Sequence, residues 1–316
     1  PANQNTPPDI EGQRQKLLHL GDVIKIGLAG NLKTYKIRDH FNQFVEGGDY
    51  RYRDVPVGYA SEPTETINYV SAHDGTTLWD AVQAKFPLLD SIRSTSEEKI
   101  RSHKIMLALV MFSQGIPFIE GGSDLLKSKS GDADSYDSGD WFNAIDWTFK
   151  SNNWGKGLPP YWRNGQDWNF WMPRLEKSEY SVQENDIRKT SEYFQSLLKV
   201  RASSKLFHLG SAKLIKESLS FPFDERGQND SPGFLALQIQ NKNFQIDPER
   251  KTILIFFNAA TTDQTFYKQE YQNRSFSIHD SLDEKIDLRL SKAHFDSNQG
   301  LFSIPAQTVV VFEEKR

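Results

Sequence analysis

The amino-acid sequence predicts a mixed fold, with an α/β part followed by an all-β part. From residue 66 to about residue 200, short apolar runs alternate with segments whose apolar residues recur at helical spacing, which is typical of a parallel α/β sheet or barrel. After about Leu209, short runs rich in β-branched and aromatic residues are separated by polar turns, which indicates an antiparallel β-sandwich. We therefore expect one domain at residues 1–209 and a second at residues 210–316.

The α/β part begins without a clear signal, and its elements start near residue 66. Residues 1–20 open with Pro, Asn, Gln and Thr and are expected to be loop-like, while residues 21–60 give no firm assignment. The later elements follow from composition and apolar spacing: strands at residues 66–71 and 117–120, and helices at residues 76–86, 97–113 and 187–200. Gly115 is expected to end the second helix.

The all-β part contains five predicted strands, at residues 212–215, 233–239, 252–257, 275–278 and 307–312.

In the α/β part, a polar region from residue 121 to about residue 181 separates the last strand from the last helix. It is too long for a simple connection, and loops of this length are usually functional.

Composition excludes several classes of function. The net charge is −4 with both signs interspersed, so we expect no nucleic-acid partner, which would favour a concentrated basic patch. No apolar stretch approaches the ~20 residues of a membrane span, so we expect no membrane partner. The chain has no cysteine, which excludes disulfides, cysteine nucleophiles and cysteine-ligated metals.

Four of the seven tryptophans lie in one polar segment, residues 152–171, here called the tryptophan-rich segment. They are Trp154, Trp162, Trp168 and Trp171. Sugar rings stack on such side chains, while Asn and Asp bind sugar hydroxyls. Alternatively, the tryptophans hold a long loop in place. The sequence supports both interpretations equally.

His73 and Asp74 stand where a predicted strand turns into a helix. In α/β barrels the active site is built on the carboxyl ends of the strands, so the pair is a candidate site. However, Asp is also a favoured N-cap residue, and Asp74 precedes a predicted helix. A purely structural role therefore competes with a catalytic one.

A second constellation of acidic and aromatic residues follows the last α/β strand. It comprises Asp132, Asp134, Tyr136, Asp137, Asp140, Trp141 and Asn143. Three interpretations compete: sugar binding, a calcium site, or a solvated loop with Asx turns. Calcium needs several converging oxygen ligands, and the spacing does not match an EF-hand loop. No other cofactor is expected.

Four segments carry a specific resemblance to a known family. Residues 26–35, 57–82, 113–147 and 152–160 resemble plant limit dextrinases and bacterial type I pullulanases, which belong to glycoside hydrolase family 13 of the α-amylase superfamily. The run DSYDSGDWFN at residues 134–143 is typical of its debranching branch. The similarity extends from about residue 24 to the C-terminus.

The resemblance implies strands 7 and 8 of a (β/α)8 barrel followed by a β-sandwich, and hydrolysis of α-1,6 linkages in pullulan, amylopectin or limit dextrins. Asp74 would be the third invariant carboxylate, and His73 would bind the same sugar. Residues 127–143, here called the acidic loop, and the tryptophan-rich segment would shape the subsites. The implied substrate-binding residues are Asp134, Tyr136, Asp140, Trp141, Asn143, Asn164, Asp167 and Trp168.

The resemblance also implies that the chemistry needs more than Asp74. A retaining glycosidase uses two carboxyl groups about 5–5.5 Å apart, as nucleophile and acid/base. In this family both precede strand 7, and no matching motif occurs in the sequence. We therefore expect an upstream segment or a second chain, the N-terminal half of the same enzyme, to supply them. The alternative is a non-catalytic glucan-binding or regulatory subunit, which Gly75 and Ala133, two departures from the family pattern, favour slightly.

Overall fold

The computed structural model describes residues 9–86, 96–222 and 231–316 and divides the chain into two compact units. The first unit contains the described residues of 69–107 and 118–195. The second contains those of 9–68, 108–117 and 196–316. Because each unit combines separate stretches of the chain, the expected boundary between residues 209 and 210 stays a prediction.

A long helix, α1 (Ile10–Leu28), opens the described part of the chain. Asp9 caps it by accepting a hydrogen bond from the backbone N–H of Gly12 at 2.9 Å. The prediction of a loop is therefore wrong for residues 10–20, while residues 1–8 lie outside the described part. The N-terminal signal of this helix is Asp9 at the N-cap followed by Glu11 in the first turn, and it comes directly after a Pro- and Asn-containing start that is typical of a loop.

Two small antiparallel hairpins follow α1 in the second unit. β1 (Lys36–Arg38) pairs with β2 (Phe44–Glu46), and β3 (Arg51–Tyr52) pairs with β4 (Val55–Pro56). These strands have only two or three residues, which is why the sequence gives no alternating pattern for them.

The described residues form seven further α-helices: α2 (Leu78–Lys85), α3 (Ser96–Phe112), α4 (Gly139–Asn143), α5 (Tyr161–Asn164), α6 (Trp168–Leu175), α7 (Glu184–Ala202) and α8 (Ala212–Ser218). The helices predicted at residues 76–86, 97–113 and 187–200 are confirmed by α2, α3 and α7. In the first unit, Trp79 of α2, Ile100 of α3 and Ile187 of α7 form one apolar core together with Leu125 and Leu126, which lie outside these helices. No helix in the described ranges is both long and apolar enough to cross a membrane.

The α/β pattern yields one parallel pair of short strands in the second unit. β5 (Ile67–Asn68) pairs with β6 (Ile116–Pro117), with Ile67 opposite Ile116. Both strands are shorter than predicted. Gly115 precedes β6 at φ +105°, and a Cβ there would lie 2.2 Å from Oγ1 of Thr66. The close approach of the two strands therefore requires glycine at this position.

The buried guanidinium of Arg201 fixes the end of α3 before β6. It donates hydrogen bonds to the carbonyl oxygens of Met111, Ser113 and Phe207 at 2.6–3.1 Å, and to that of Gly115 at 3.2 Å. Burial lowers the pKa of Arg201 from its ordinary value. The four carbonyl groups replace the water that the cation loses.

The last third of the chain forms two antiparallel sheets. Their strands are β7 (Leu219–Ser220), β8 (Phe234–Gln240), β9 (Arg250–Asn258), β10 (Gln264–Tyr267), β11 (Ser277–Ile278), β12 (His294–Asp296), β13 (Leu301–Ile304) and β14 (Thr308–Lys315). The first sheet has the order β11-β14-β9-β8-β7 and the second β10-β13-β12. The predicted strands at residues 233–239, 252–257 and 307–312 are confirmed, and the one at 275–278 is confirmed over the two residues of β11, whereas β7, β10, β12 and β13 were not predicted.

The strand predicted at residues 212–215 is wrong, because these residues begin helix α8. Ser211 caps the helix by accepting a hydrogen bond from the N–H of Leu214 at 3.3 Å. Ala212 and Ile215 are three residues apart and both buried, so they lie on one face of the helix. A four-residue segment with three apolar residues does not distinguish a strand from a helical turn.

Aromatic side chains fill the space between the two sheets. Phe302 of β13 is fully buried, and its ring centroid lies 5.1 Å from that of Phe256 in β9 and 5.0 Å from that of Phe312 in β14. Phe266 of β10 also packs on Phe256, at 5.7 Å. These contacts join the two sheets through one aromatic core.

Replacing Phe302 with alanine should destabilise the second unit by about 3–5 kcal/mol, because the substitution leaves a cavity between the sheets. Urea unfolding followed by far-UV circular dichroism measures this loss. Phe41→Ala is the matched control, since Phe41 is 68% exposed, and it should cost less than about 1 kcal/mol. Equal losses in the two variants would contradict the placement of the core.

Candidate functional site

His73 and Asp74 lie side by side and face solvent in the stretch between β5 and α2. Nε2 of His73 is 3.5 Å from Oδ2 of Asp74, and 81% and 80% of the two side chains are exposed. Helix α2 is capped by Thr77, whose side chain accepts a hydrogen bond from the N–H of Asp80 at 3.1 Å. The interpretation of Asp74 as the N-cap is therefore wrong, and its carboxylate is accessible to a ligand.

Side chains of the acidic loop hold the backbone of His73. The ammonium group of Lys129 donates a hydrogen bond to the carbonyl oxygen of His73 at 3.3 Å, and the hydroxyl of Ser135 donates to the same oxygen. Lys129 also donates to the Ser135 hydroxyl. The side-chain amide of Asn143 donates to the carbonyl of Ser135 at 2.8 Å. Although its side chain is exposed, His73 thus sits on a fixed backbone.

The acidic loop is in turn anchored to α2 by the fully buried carboxylate of Asp80. Oδ1 of Asp80 accepts a hydrogen bond from the hydroxyl of Ser128 at 2.5 Å. Oδ2 accepts hydrogen bonds from the N–H groups of Lys129 at 2.8 Å and Gly131 at 3.2 Å. One carboxylate therefore fixes residues 128–131.

Asp132 and Asn164 join the acidic loop to the tryptophan-rich segment. Oδ1 of Asp132 accepts hydrogen bonds from the amide of Asn164 and the hydroxyl of Ser138, both at 2.9 Å. Oδ1 of Asn164 accepts one from the N–H of Ala133 at 3.0 Å. Only 1% of Asn164 is exposed, so its amide joins the two segments inside the protein, and its contact with a sugar stays a prediction.

Arg163 of the tryptophan-rich segment binds two acidic residues of the loop. Its Nε lies 2.9 Å from Oδ2 of Asp134, and one terminal nitrogen lies 2.7 Å from Oδ2 of Asp137. Tyr136 lies between these two in the sequence and is 89% exposed. The arginine holds the turn, and the phenol ring projects into solvent.

The other predicted sugar-binding residues of the acidic loop lie around α4. Trp141 is 62% exposed, and its indole N–H donates to the carbonyl of Lys156 at 3.2 Å. The ammonium of Lys156 lies 4.9 Å from the centroid of the same ring. Asp140 is exposed in the first turn of α4, whereas Asn143 bonds to Ser135 within the loop.

The four tryptophans of the tryptophan-rich segment have different environments. Trp171 is buried and its ring packs edge-on against Trp154 at 6.3 Å, so the structural interpretation applies to these two. Trp168 is half-buried and donates to the carbonyl of Pro159 at 2.7 Å. Trp162 is 71% exposed and presents a ring that a sugar could stack on. Asp167 is exposed in the turn before α6.

Three of the four carboxylates of the acidic loop bind groups within the protein. Asp132 binds Asn164 and Ser138, and Asp134 and Asp137 bind Arg163. Within residues 9–86, 96–222 and 231–316, no three His, Asp or Glu side chains are grouped to hold a metal ion. A calcium ion in this loop stays a prediction.

Sequence reasoning missed Asp80 and Lys129, the two residues that build the support of the site. Asp80 lies among Leu78, Trp79 and Val82 on the buried part of α2, and an acidic residue in an apolar helical pattern is a signal that could have identified it. Lys129 lies among serines and glycine in a polar loop, so nothing in the pattern indicates that it is buried.

Comparisons with known proteins identify the family to which this chain belongs. The family of alpha-1,6-glucosidases, pullulanase-type, C-terminal, matches residues 149–315. The chain is 38% identical over 300 residues to pullulanase 1, chloroplastic, of Arabidopsis thaliana, which covers 93% of this chain and 30% of that protein. It is 30% identical over 298 residues to the pullulanase of Klebsiella pneumoniae, covering 93% and 26%.

Solved structures show the same relationship. The Klebsiella pneumoniae pullulanase complexed with maltotriose aligns with a TM-score of 0.86 at 29% identity, covering 96% of this chain and 28% of that one. PulA from Klebsiella oxytoca aligns with a TM-score of 0.84 at 28% identity and the same two coverages. The mixed helix and sheet of this chain therefore match part of a pullulanase, and the chain spans about a third or less of these proteins.

The buried carboxyl of Asp80 predicts a pH dependence. Burial raises its pKa from 3.8 to about 6, against the opposing effect of its hydrogen bonds. A group whose pKa is raised by folding contributes stability that is complete below pH ~4 and is lost as the pH rises through ~6. The stability advantage of the unmodified protein over Asp80→Asn should therefore shrink by on the order of 2 kcal/mol between pH 4 and pH 7.

Unfolding followed by tryptophan fluorescence measures this effect, because all seven tryptophans lie in the first unit. Asp54→Asn, at an exposed aspartate, is the matched control and should show no such change. A stability difference between protein and Asp80→Asn that widens toward pH 7 would contradict the assignment.

Proposed function

Because the chain belongs to the pullulanase-type α-1,6-glucosidase family, we propose that it is the C-terminal part of an enzyme that hydrolyses α-1,6-glucosidic linkages. The observation that carries this proposal is the exposed His73–Asp74 pair on a backbone held by Lys129 and Ser135. Its substrates would be branched α-glucans such as pullulan, amylopectin or limit dextrins. The maltotriose bound in related pullulanase structures supports this class of ligand.

Asp74 would act on the sugar at the cleaved bond. Its carboxylate can accept hydrogen bonds from two adjacent hydroxyls and can stabilise the positive charge that develops on the sugar ring in the transition state. His73 can donate a hydrogen bond to the same sugar through Nε2. Both actions require that the pair keeps a fixed direction toward the substrate.

A retaining mechanism needs a nucleophile and an acid/base in addition to Asp74. We propose that these carboxylates come from the part of the family's length that this chain does not span, either on the same polypeptide or on a second chain. The chain would then contribute Asp74, His73 and the subsite loops to a shared active site.

Exposed apolar residues beside the parallel strands support this arrangement. In the second unit, Ile67 and Ile116 of the pair are 55% and 47% exposed. In the first unit, Tyr69 and Phe118 are 59% and 47% exposed. Strands of a parallel sheet are normally buried on both faces. We propose that β5 and β6 are strands 7 and 8 of a (β/α)8 barrel, that the other barrel strands cover these residues, and that the two antiparallel sheets form the β-sandwich that follows it.

The outer sugars of the substrate would contact the acidic loop and the tryptophan-rich segment. Tyr136, Trp141 and Trp162 present exposed rings on which sugar faces could stack. Asp140 and Asp167 are exposed carboxylates that could bind hydroxyls. Asp134, Asn143, Asn164 and Trp168, which bind within the protein, would hold these surfaces in shape.

Replacing Asp74 with asparagine should lower the release of maltotriose from pullulan by roughly 10²-fold or more, because the amide keeps the size of the side chain but lacks its charge. Reducing-sugar release and chromatography of the products measure this. Asp49→Asn changes an exposed aspartate of the second unit and should leave the rate unchanged.

The assay requires a preparation of the length that the family relatives have. Full activity of Asp74→Asn would show that this carboxylate is not part of the active site. No release by the unmodified enzyme, together with binding of maltotriose, would favour a glucan-binding subunit instead.

A further inference from the structure

The His73–Asp74 pair lies in a stretch that has no helix or strand between residues 69 and 77. Exposed segments of this kind are usually the mobile parts of a protein. Here, however, the carbonyl oxygen of His73 accepts two hydrogen bonds, from the ammonium of Lys129 and from the hydroxyl of Ser135. This oxygen belongs to the peptide group that leads directly into Asp74.

Lys129 is an unusual donor for such a contact, because only 1% of it is exposed. Burying an ammonium group costs free energy unless hydrogen bonds and opposite charges compensate. Burial lowers its pKa, while Asp132, Glu120 and Asp80 oppose the decrease and Lys127 adds to it. An apolar side chain of similar length would fill the same space without this cost, so packing alone does not explain a lysine here.

The backbone of Lys129 is fixed as firmly as its side chain. Its N–H donates to Oδ2 of Asp80 at 2.8 Å, and Asp80 also accepts hydrogen bonds from Ser128 and Gly131. Asp80 follows Asp74 by six residues in the sequence. A closed ring therefore results. The chain leads from His73 to Asp80, and hydrogen bonds lead from Asp80 through Lys129 back to His73.

We propose that Lys129 is a positioning residue for Asp74: its buried ammonium group holds the carbonyl of His73 and thereby sets the direction of the neighbouring carboxylate. The effect on catalysis rests on the proposed function of Asp74. The hydrogen bond between Lys129 and the carbonyl of His73 does not depend on that function. Asp80 acts one step further from the substrate, by holding Lys129.

Three variants test the proposal. Lys129→Met keeps the length of the side chain and removes its donors, and Lys129→Arg keeps a cation. Lys150→Met removes an exposed lysine of the same unit as a control. In the 316-residue chain, 13C-labelled histidine gives NMR signals of the imidazole rings, and His73→Gln assigns the signal of His73. His103 is a reference for the fold, because its ring is buried against Trp79 at 6.0 Å.

Lys129→Met should shift or broaden the His73 signal while the His103 signal stays in place, and Lys150→Met should change neither. An unchanged His73 signal in Lys129→Met overturns the proposal. If the methionine variant also loses the His103 signal, the arginine variant decides: a native His73 signal in Lys129→Arg supports the role of the cation, and a displaced one with native His103 overturns it.

In the active enzyme of full family length, Lys129→Met should lower kcat for pullulan by about 10- to 100-fold, as expected from misplacement of a reacting group. KM should change much less, and Lys129→Arg should recover part of kcat. If the unmodified enzyme is active and Lys129→Met has the same kcat, the proposal is overturned. An unmodified enzyme that releases no maltotriose would refute the proposed function, whereas the NMR result would still decide whether Lys129 positions His73.

Discussion

The carboxylate of Asp80 is the constraint on which the candidate site depends. It is buried in helix α2 and accepts hydrogen bonds from Ser128, Lys129 and Gly131, so the acidic loop begins in a defined position. From there, Lys129 and Ser135 reach the carbonyl of His73. A single buried acceptor thus links helix, loop and exposed pair, and a low-dielectric environment makes each of these contacts costly to break.

The rest of the loop is organised in layers around this anchor. Buried polar residues, chiefly Asp132 and Asn164, connect the acidic loop to the tryptophan-rich segment through hydrogen bonds. Three aromatic residues of the two segments, Tyr136, Trp141 and Trp162, face solvent. Exposed rings on a hydrogen-bonded support agree with the proposal that these segments bind the outer sugars of a glucan.

The sequence predicted the helices and strands that are marked by a residue pattern over many consecutive positions. Helices α2, α3 and α7 follow from apolar spacing over many residues, and four of the later strands follow from β-branched runs. Short elements were missed or wrong: α8 begins with a four-residue segment, three of them apolar, that resembles a strand, and β12 and β13 have only three and four residues.

For the site, residue type identified the exposed His73–Asp74 pair and the acidic loop, but not the contacts that hold them. Lys129 lies 56 positions from His73 in the sequence, and no local pattern reveals a partner at that separation. The roles of Asp74 and Asn164 also depended on burial: the first is exposed rather than a helix cap, and the second is inside the protein.

The most direct test of this account is a crystal structure of the enzyme, at the length of its family relatives, with maltotriose bound. The account predicts that the Asp74 carboxylate lies within hydrogen-bonding distance of sugar hydroxyls, while Lys129 still holds the carbonyl of His73. A bound maltotriose that leaves Asp74 and His73 facing solvent would contradict the account.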